Sequence, residues 1–295
     1  MPDDGDVPGR LEHWIRAAGT VVAPATLLSA LLFYFGYVST RAQYEYFGVD
    51  VDTIGLATQD YVMRSPQPLL TPLLVLTFAS VGALALHSAV QKRIAAAEDT
   101  TRIRAVVRAL TAAGLLLLAA GVGLLLLYAV LRAWLYYALV TPLLIAFGGV
   151  LVVYGFRVLR RLDTGAPLAS TVRRVSLGLV LVVVAVSLFW TTATIAQWSG
   201  RGVAMAQARE LDRLPSVIVD TKERLFLRSP GIAETVLPAS EGQSFHYRYR
   251  NLRLLVHGQD RMFLVPRTWS ASDTTLVVPF DGSVRVQFQF QNQRP

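Results

Sequence analysis

Cysteine is absent from the chain, and lysine nearly so: two of the 28 basic residues are lysine and the rest are arginine. The first absence excludes disulfides, thiol catalysis and cysteine-ligated metal sites in any compartment. Charge of either sign is scarce, at 16% of residues, against about 25% in ordinary soluble domains. No G-x-S-x-G, H-E-x-x-H or Walker loop occurs, so the familiar hydrolase and nucleotide signatures are missing. Asp, Glu, Lys and Arg are also missing from the interiors of the long apolar runs. That argues against an ion-coupled transporter, which carries ionisable residues and broken helices near the bilayer midplane.

What is present is apolar sequence, 53% of 295 residues, arranged in blocks. Five runs, 17–38, 68–90, 106–131, 133–154 and 175–198, approach or exceed the roughly 20 residues that a helix needs to cross the hydrocarbon. The third contains GLLLLAAGVGLLLL and the fifth LGLVLVVVAVSLFW. Pro72 and Pro142 interrupt the second and fourth, which membrane helices tolerate because neighbours re-satisfy the freed backbone groups. The expected fold is an α-helical polytopic membrane protein of about five transmembrane helices in the plasma membrane. Arg10 and Arg16 precede the first run as in a signal peptide, but ALLFYFGYV follows it where a small-residue cleavage site belongs. It is therefore read as a retained span behind a cytoplasmic segment, 1–16.

Basic residues set the orientation. Lys92, Arg93, Arg102, Arg104 and Arg108 lie between runs two and three, and Arg157, Arg160, Arg161, Arg173 and Arg174 between runs four and five. The alternate connections hold only Arg41 and Arg64, and Arg132. By the positive-inside rule the N-terminus is cytoplasmic and the C-terminus extracytoplasmic. About half of the arginines flank spans, so the net charge of +8 does not make nucleic acid an expected partner.

Beyond Trp198 the pattern changes. A helical stalk, 200–214, stops at Pro215, and the period then becomes two. VRVQFQFQ places Val284, Val286, Phe288 and Phe290 on one face and Arg285, Gln287, Gln289 and Gln291 on the other, the mark of a half-buried strand. SVIVD, RLFL, FHYRYR, LRLLV, RMFLVP and TLVVP are further strand candidates, separated by SPG, HGQD and FDGS. Residues 215–295 are thus expected to form a small all-β, sandwich- or barrel-like extracytoplasmic domain. A core that thin leaves docking onto the membrane part or a partner as the expected support.

The connection 39–66 contains EYFGVDVDTIGLATQDY. Asp50, Asp52 and Asp60, with Glu45 upstream, form a polar cluster, but their spacing does not match a calcium loop, and no metal or other cofactor is expected. Asp52 suits the N-cap of TIGLA and Thr58 that of QDYVMR, with Asp60 in the first turn of the latter. Gly48 supplies a turn. The many apolar side chains here indicate a structured outer loop lying on the leaflet or beneath the β region.

FYFGYVSTRAQYEYFGVDVDTIGLATQDYVMRS, together with YRYRNLRLLVHGQDRMFLVP, resembles a family of uncharacterised multi-span membrane proteins from actinobacteria. The resemblance extends along most of the chain and implies a membrane location. It implies no reaction or ligand, so no functional residue carries over.

His87, alone near one end of run two, suits an interhelical hydrogen bond better than a proton relay. Gly114, Gly121, Gly123, Gly148 and Gly149 suit close helix approach. Ser244, His246 and His257 raise a Ser–His arrangement that only geometry can test. In HYRYRNLR, Tyr247 and Tyr249 are expected to pack inward while Arg248 and Arg250, with Arg253 and Arg261, present a basic surface for a partner or anion. The expected function is that of a non-enzymatic integral membrane protein whose β domain binds a protein partner, an envelope glycan or an anionic lipid headgroup. The alternative is an oligomeric pore or channel gated by the β domain, the oligomeric state being open. A weaker one is a membrane enzyme using the loop carboxylates.

Overall fold

The computed structural model describes residues 7–96, 101–164, 170–227, 229–238, 241–270 and 272–289. Phe290 and Gln291, and the side chains of Arg10, Arg16 and Arg173, lie outside the described residues. The described chain forms α1 (Val7–Glu45), α2 (Thr58–Arg64), α3 (Pro66–Ala96), α4 (Thr101–Leu126), α5 (Tyr128–Leu131), α6 (Tyr137–Thr164) and α7 (Ser170–Arg209), followed by six strands. Five helical segments are long and apolar enough to cross a membrane: Val22–Glu45, Pro66–Ala96, Thr101–Leu126, Tyr137–Leu162 and Arg174–Arg209. This is a multi-pass helical membrane protein with a small antiparallel β region at its C-terminal end. The chain divides into two compact units, one of 69–195 and one of 1–68 with 196–295.

Several hydroxyl side chains inside the apolar helices bond back to their own turns, because hydrocarbon offers no water to satisfy them, although the buried hydroxyls of Thr141 and Thr191 have no hydrogen-bond partner among the described residues. Thr77 Oγ1 donates to the Leu73 carbonyl at 2.8 Å, Ser80 Oγ to Leu76 at 2.7 Å and Thr111 Oγ1 to Val107 at 2.7 Å. In unit 69–195, α4 and α6 pack along glycine notches spaced by seven on both helices. A Cβ on Gly114 would sit 2.8 Å from Leu151 Cβ, one on Gly121 2.6 Å from Ile145 Cγ1, and one on Gly148 2.6 Å from the Leu118 nitrogen. Gly155 abuts Thr111 in the same way, whereas Gly123 and Gly149 face nothing within 4 Å. The notches let backbones approach closely where lipid provides no hydrophobic drive. Between α3 and α6, His87 Nδ1 and Tyr154 Oη are 3.0 Å apart, and Arg161 Nη1 donates to Gln91 Oε1 at 2.8 Å.

In the other unit, α1 continues past Val38 to Glu45, shortening the loop expected from composition. Arg41 and Glu45 pair at 2.6 Å one turn apart. The helix then ends in a Schellman motif: Gly48, at φ 72°, donates to the Glu45 carbonyl at 3.0 Å, and Val49 donates to Tyr44 at 3.0 Å. Val49 and Tyr44 are both buried in one core, supplying the apolar contact that accompanies this cap. Gly200 lets α7 cross α1 against the Ser39 carbonyl, and Gln43 Nε2 donates to Gln207 Oε1 at 3.0 Å.

The strands are β1 (Ser216–Thr221), β2 (Ala233–Val236), β3 (Tyr247–His257), β4 (Arg261–Pro266), β5 (Leu276–Pro279) and β6 (Val284–Gln289). All join one antiparallel sheet in the order β5-β4-β3-β1-β6, with β2 also on β3. The expected strands at FHYRYR and LRLLV are one strand, β3, which carries Asn251 at φ 64° and two register shifts. RLFL, 224–227, is not a strand. Its Phe226 is at φ 50° and 70% exposed, while Leu225 N–H donates to Tyr249 Oη at 2.7 Å. β2 comes from AETV, whose lack of apolar alternation gave no signal.

β4 is buried on both faces, and its residues divide between two cores. Met262 and Leu264 join Val217, Val219, Tyr249, Leu252 and Val278. Phe263 and Val265 join Leu255 and Val256 with Tyr44 at the end of α1, Phe47, Val51 and Ile54 of the first interhelical segment and Ala204 of α7. That segment is thus a wedge between helix ends and sheet, which accounts for its apolar mass. The β3–β4 turn accommodates it at Gly258, where a Cβ would collide with the Ile54 carbonyl.

Candidate functional site

The carboxylates of the wedge do not converge. Asp50 caps a short 3-10 turn, Val51–Thr53, accepting the Asp52 N–H at 3.2 Å. Asp52 accepts the Tyr37 hydroxyl at 3.2 Å on each oxygen. Asp60 Oδ2 accepts the Ala57 N–H at 2.8 Å, so the α2 N-cap is Ala57, not Thr58. The expected helix TIGLA does not form: Asp50, not Asp52, caps a single 3-10 turn, and the α2 cap falls one residue before Thr58. No group of three or more metal-ligating side chains forms among the described residues.

The basic residues of the tail are likewise dispersed. Asp220 on β1 lies directly across from Arg248 on β3 and Arg285 on β6. Its carboxylate, fully buried, accepts Arg248 Nε and Nη2 at 2.8 and 3.0 Å and Arg285 Nε and Nη2 at 3.1 and 2.7 Å. Hydrogen bonds from Arg248 hold the Asp220 carboxyl below the usual carboxylate range; burial opposes them and Arg285 assists. Arg253 and Arg267 share Asp212, at 2.8 and 3.0 Å, and Arg267 lowers that carboxyl in the same manner. Arg261 pairs with its neighbour Asp260 at 2.8 Å. Arg250 is the exposed member of the expected four. The tyrosines do pack inward: Tyr249 is fully buried and Tyr247 half-buried. Burial raises the Tyr249 phenol, with Leu225 N–H opposing. A hollow of about 570 Å³ lies over Arg248 and Arg285, beside Ser244 and Phe245. No hydrogen bond joins Ser244 to His246 or His257; His257 instead packs edge-on against Phe280 at 5.8 Å.

A larger cleft, about 640 Å³, opens where the wedge meets the β4–β5 connection. Phe47 and Trp269 form its aromatic wall, their rings edge-to-face at 5.1 Å. Thr275 Oγ1 donates to the Phe47 carbonyl at 2.6 Å and ties the two sides together. Glu45, Asp50 and Asp273 put three carboxylates on the lining, and Thr53 and Ser270 add hydroxyls. Asp273 Oδ2 accepts Ser270 N–H and Oγ–H, each at 2.7 Å, while its Oδ1 is enclosed without a partner among the described residues. Aromatic surface with a few fixed polar groups is the usual make-up of a small-ligand site. Of these residues, sequence reasoning singled out Glu45 and Asp50 and missed Trp269 and Asp273. The available signal was TWSASDTT, a polar run between two strands with one tryptophan in it. No family model, curated protein or solved structure matches the chain.

Proposed function

We propose that this is a non-enzymatic membrane protein, N-terminus in the cytoplasm and β region outside, that binds a glycan of the cell envelope in the cleft between wedge and sheet. The observation that carries the reading is the cleft lining. An aromatic wall suits the apolar face of a sugar ring, and the hydroxyls and carboxylates around it suit ring hydroxyls or an amino substituent. Three carboxylates disfavour an anionic polymer, and the tail arginines that suggested one are mostly engaged with aspartates.

The orientation rests on the distribution of arginine between alternate connections. Because the chain has no cysteine, single Ser283→Cys and Ser170→Cys variants can be labelled in intact cells with a membrane-impermeant maleimide. Labelling at 283 and not at 170 is expected; the reverse pattern would put the β region in the cytoplasm and remove envelope glycans as ligands. For the ligand, the full-length protein in nanodiscs is titrated with soluble neutral and amino-sugar envelope fragments, following tryptophan fluorescence. Saturable binding, weakened about tenfold or more by Trp269→Ala or Asp50→Asn, is expected. Binding unaffected by both substitutions, or turnover of the fragments, would overturn the reading.

A further inference from the structure

We infer that the arginine-rich end of the helical unit 69–195 is a binding site for one anionic phospholipid. A slot of about 340 Å³ opens there between the end of α3, the start of α4 and α6. Its walls are apolar: Val106 and Leu110 on α4 face Leu151 and Val158 on α6, with Ile94 of α3 closing one side. The one polar wall residue, Tyr154, already shares a hydrogen bond with His87. Nothing inside therefore attracts water or a soluble ion.

The rim is the opposite. Arg93, in the last turn of α3, and Arg102, in the first turn of α4, stand at the slot, both exposed. Neither forms an ion pair among the described residues, whereas Arg161 is held by Gln91 and Arg104 donates to the Leu162 carbonyl at 3.2 Å. The two connections at this end carry ten basic residues against Glu98, Asp99 and Asp163. Guanidinium groups bind phosphate oxygens as planar, multi-donor forks. Arg102, Val106 and Leu110 follow one another at intervals of four, so the apolar stripe runs about 12 Å down the helix from the charged rim. A phosphate at the rim with an acyl chain along the stripe satisfies both surfaces. Free phosphate satisfies only the first, and a zwitterionic lipid offsets the phosphate with its own cation. Basic pockets between helices at a cytoplasmic face bind acidic headgroups for this reason.

Full-length protein in nanodiscs mixing phosphatidylglycerol with phosphatidylcholine, followed by native mass spectrometry after lipid stripping, tests this. One retained phosphatidylglycerol per chain is expected. The double variant Arg93→Gln/Arg102→Gln should reduce its retention about tenfold, whereas Arg108→Gln, on the same helix but off the slot, should not. Leu110→Trp, which fills the slot and keeps both charges, should reduce it as well. Millimolar inorganic phosphate should leave retention unchanged. Equal retention of both lipids, loss on adding phosphate, insensitivity to the double variant, or a dimer with no bound lipid would each overturn the assignment. Circular dichroism of the variants separates loss of binding from loss of fold.

Discussion

Where α4 meets α6 the contact is made by Gly114, Gly121, Gly148 and Gly155, whereas the wedge and the sheet meet through Phe47, Ile54 and Phe263, each nearly or fully buried. The two units solve the same packing problem in different solvents. Lipid tails are as apolar as leucine, so a buried leucine gains little there, and close backbone approach with its dispersion contacts is what remains. The wedge and sheet gain by removing large side chains from water. Polar groups follow the same division: several helix hydroxyls close on their own turns, while the sheet uses a buried carboxylate clamped between two arginines.

The difference can be broken first at Phe47. Phe47→Ala should cost about 4 kcal/mol by leaving a cavity under the sheet. Hydrogen exchange should show lost protection in β3 and β4 and unchanged protection in α4. Equal loss in both units would mean that they do not pack independently.

Asp220→Ala comes next. Removing the shared anion leaves two guanidinium groups partly enclosed, and about 3 kcal/mol of stability should be lost in chemical denaturation of the β region. Because the Asp212 and Asp220 carboxyls lie lower in the folded chain than their unfolded value of about 3.9, the unfolded state binds more protons below that value. Their contribution is complete above about pH 5 and is lost as pH falls below about 4. Acid should therefore loosen the sheet before it affects unit 69–195, whose only carboxylates are Glu98, Asp99 and Asp163 in the basic connections. Asp220→Asn should flatten this acid limb, and a limb of unchanged steepness would contradict the clamp.

In the helical unit, Gly148→Leu should cost about 1–3 kcal/mol by overpacking against the Leu118 backbone. Gly149→Leu, one residue away and facing open space, should fall within about 0.5 kcal/mol of the parent. Similar effects from both would remove the glycine-notch account. Asp60→Ala should cost about 1 kcal/mol from the lost α2 cap, with Thr58→Ala nearly silent; proteolysis rates across α2 measure both.

Much of this was legible before the fold. Blocks of twenty apolar residues announce helices because the hydrocarbon has a fixed thickness, and the alternation in VRVQFQ placed Val284 and Val286 against the core, although Phe288 is 59% exposed. The apolar mass of the first interhelical segment foretold burial. Other features were invisible because they depend on register. Asp220 meets Arg248 and Arg285 only when β1 pairs with both β3 and β6, across 28 and 65 residues of chain. Likewise β2 forms because β3 offers it an open edge, and RLFL fails as a strand because Leu225 is held by Tyr249.

The sequence by itself determined the helices, the strand-rich tail and the chemistry of each segment, since solvent preference and side-chain period are local properties. Only the tertiary structure decided that Phe47 and Trp269 wall one cleft, that the tail arginines are mostly paired, and that Arg93 and Arg102 stand beside an apolar slot with no ion pair among the described residues. Those outcomes depend on which distant backbones approach, and that is set by packing of the whole unit.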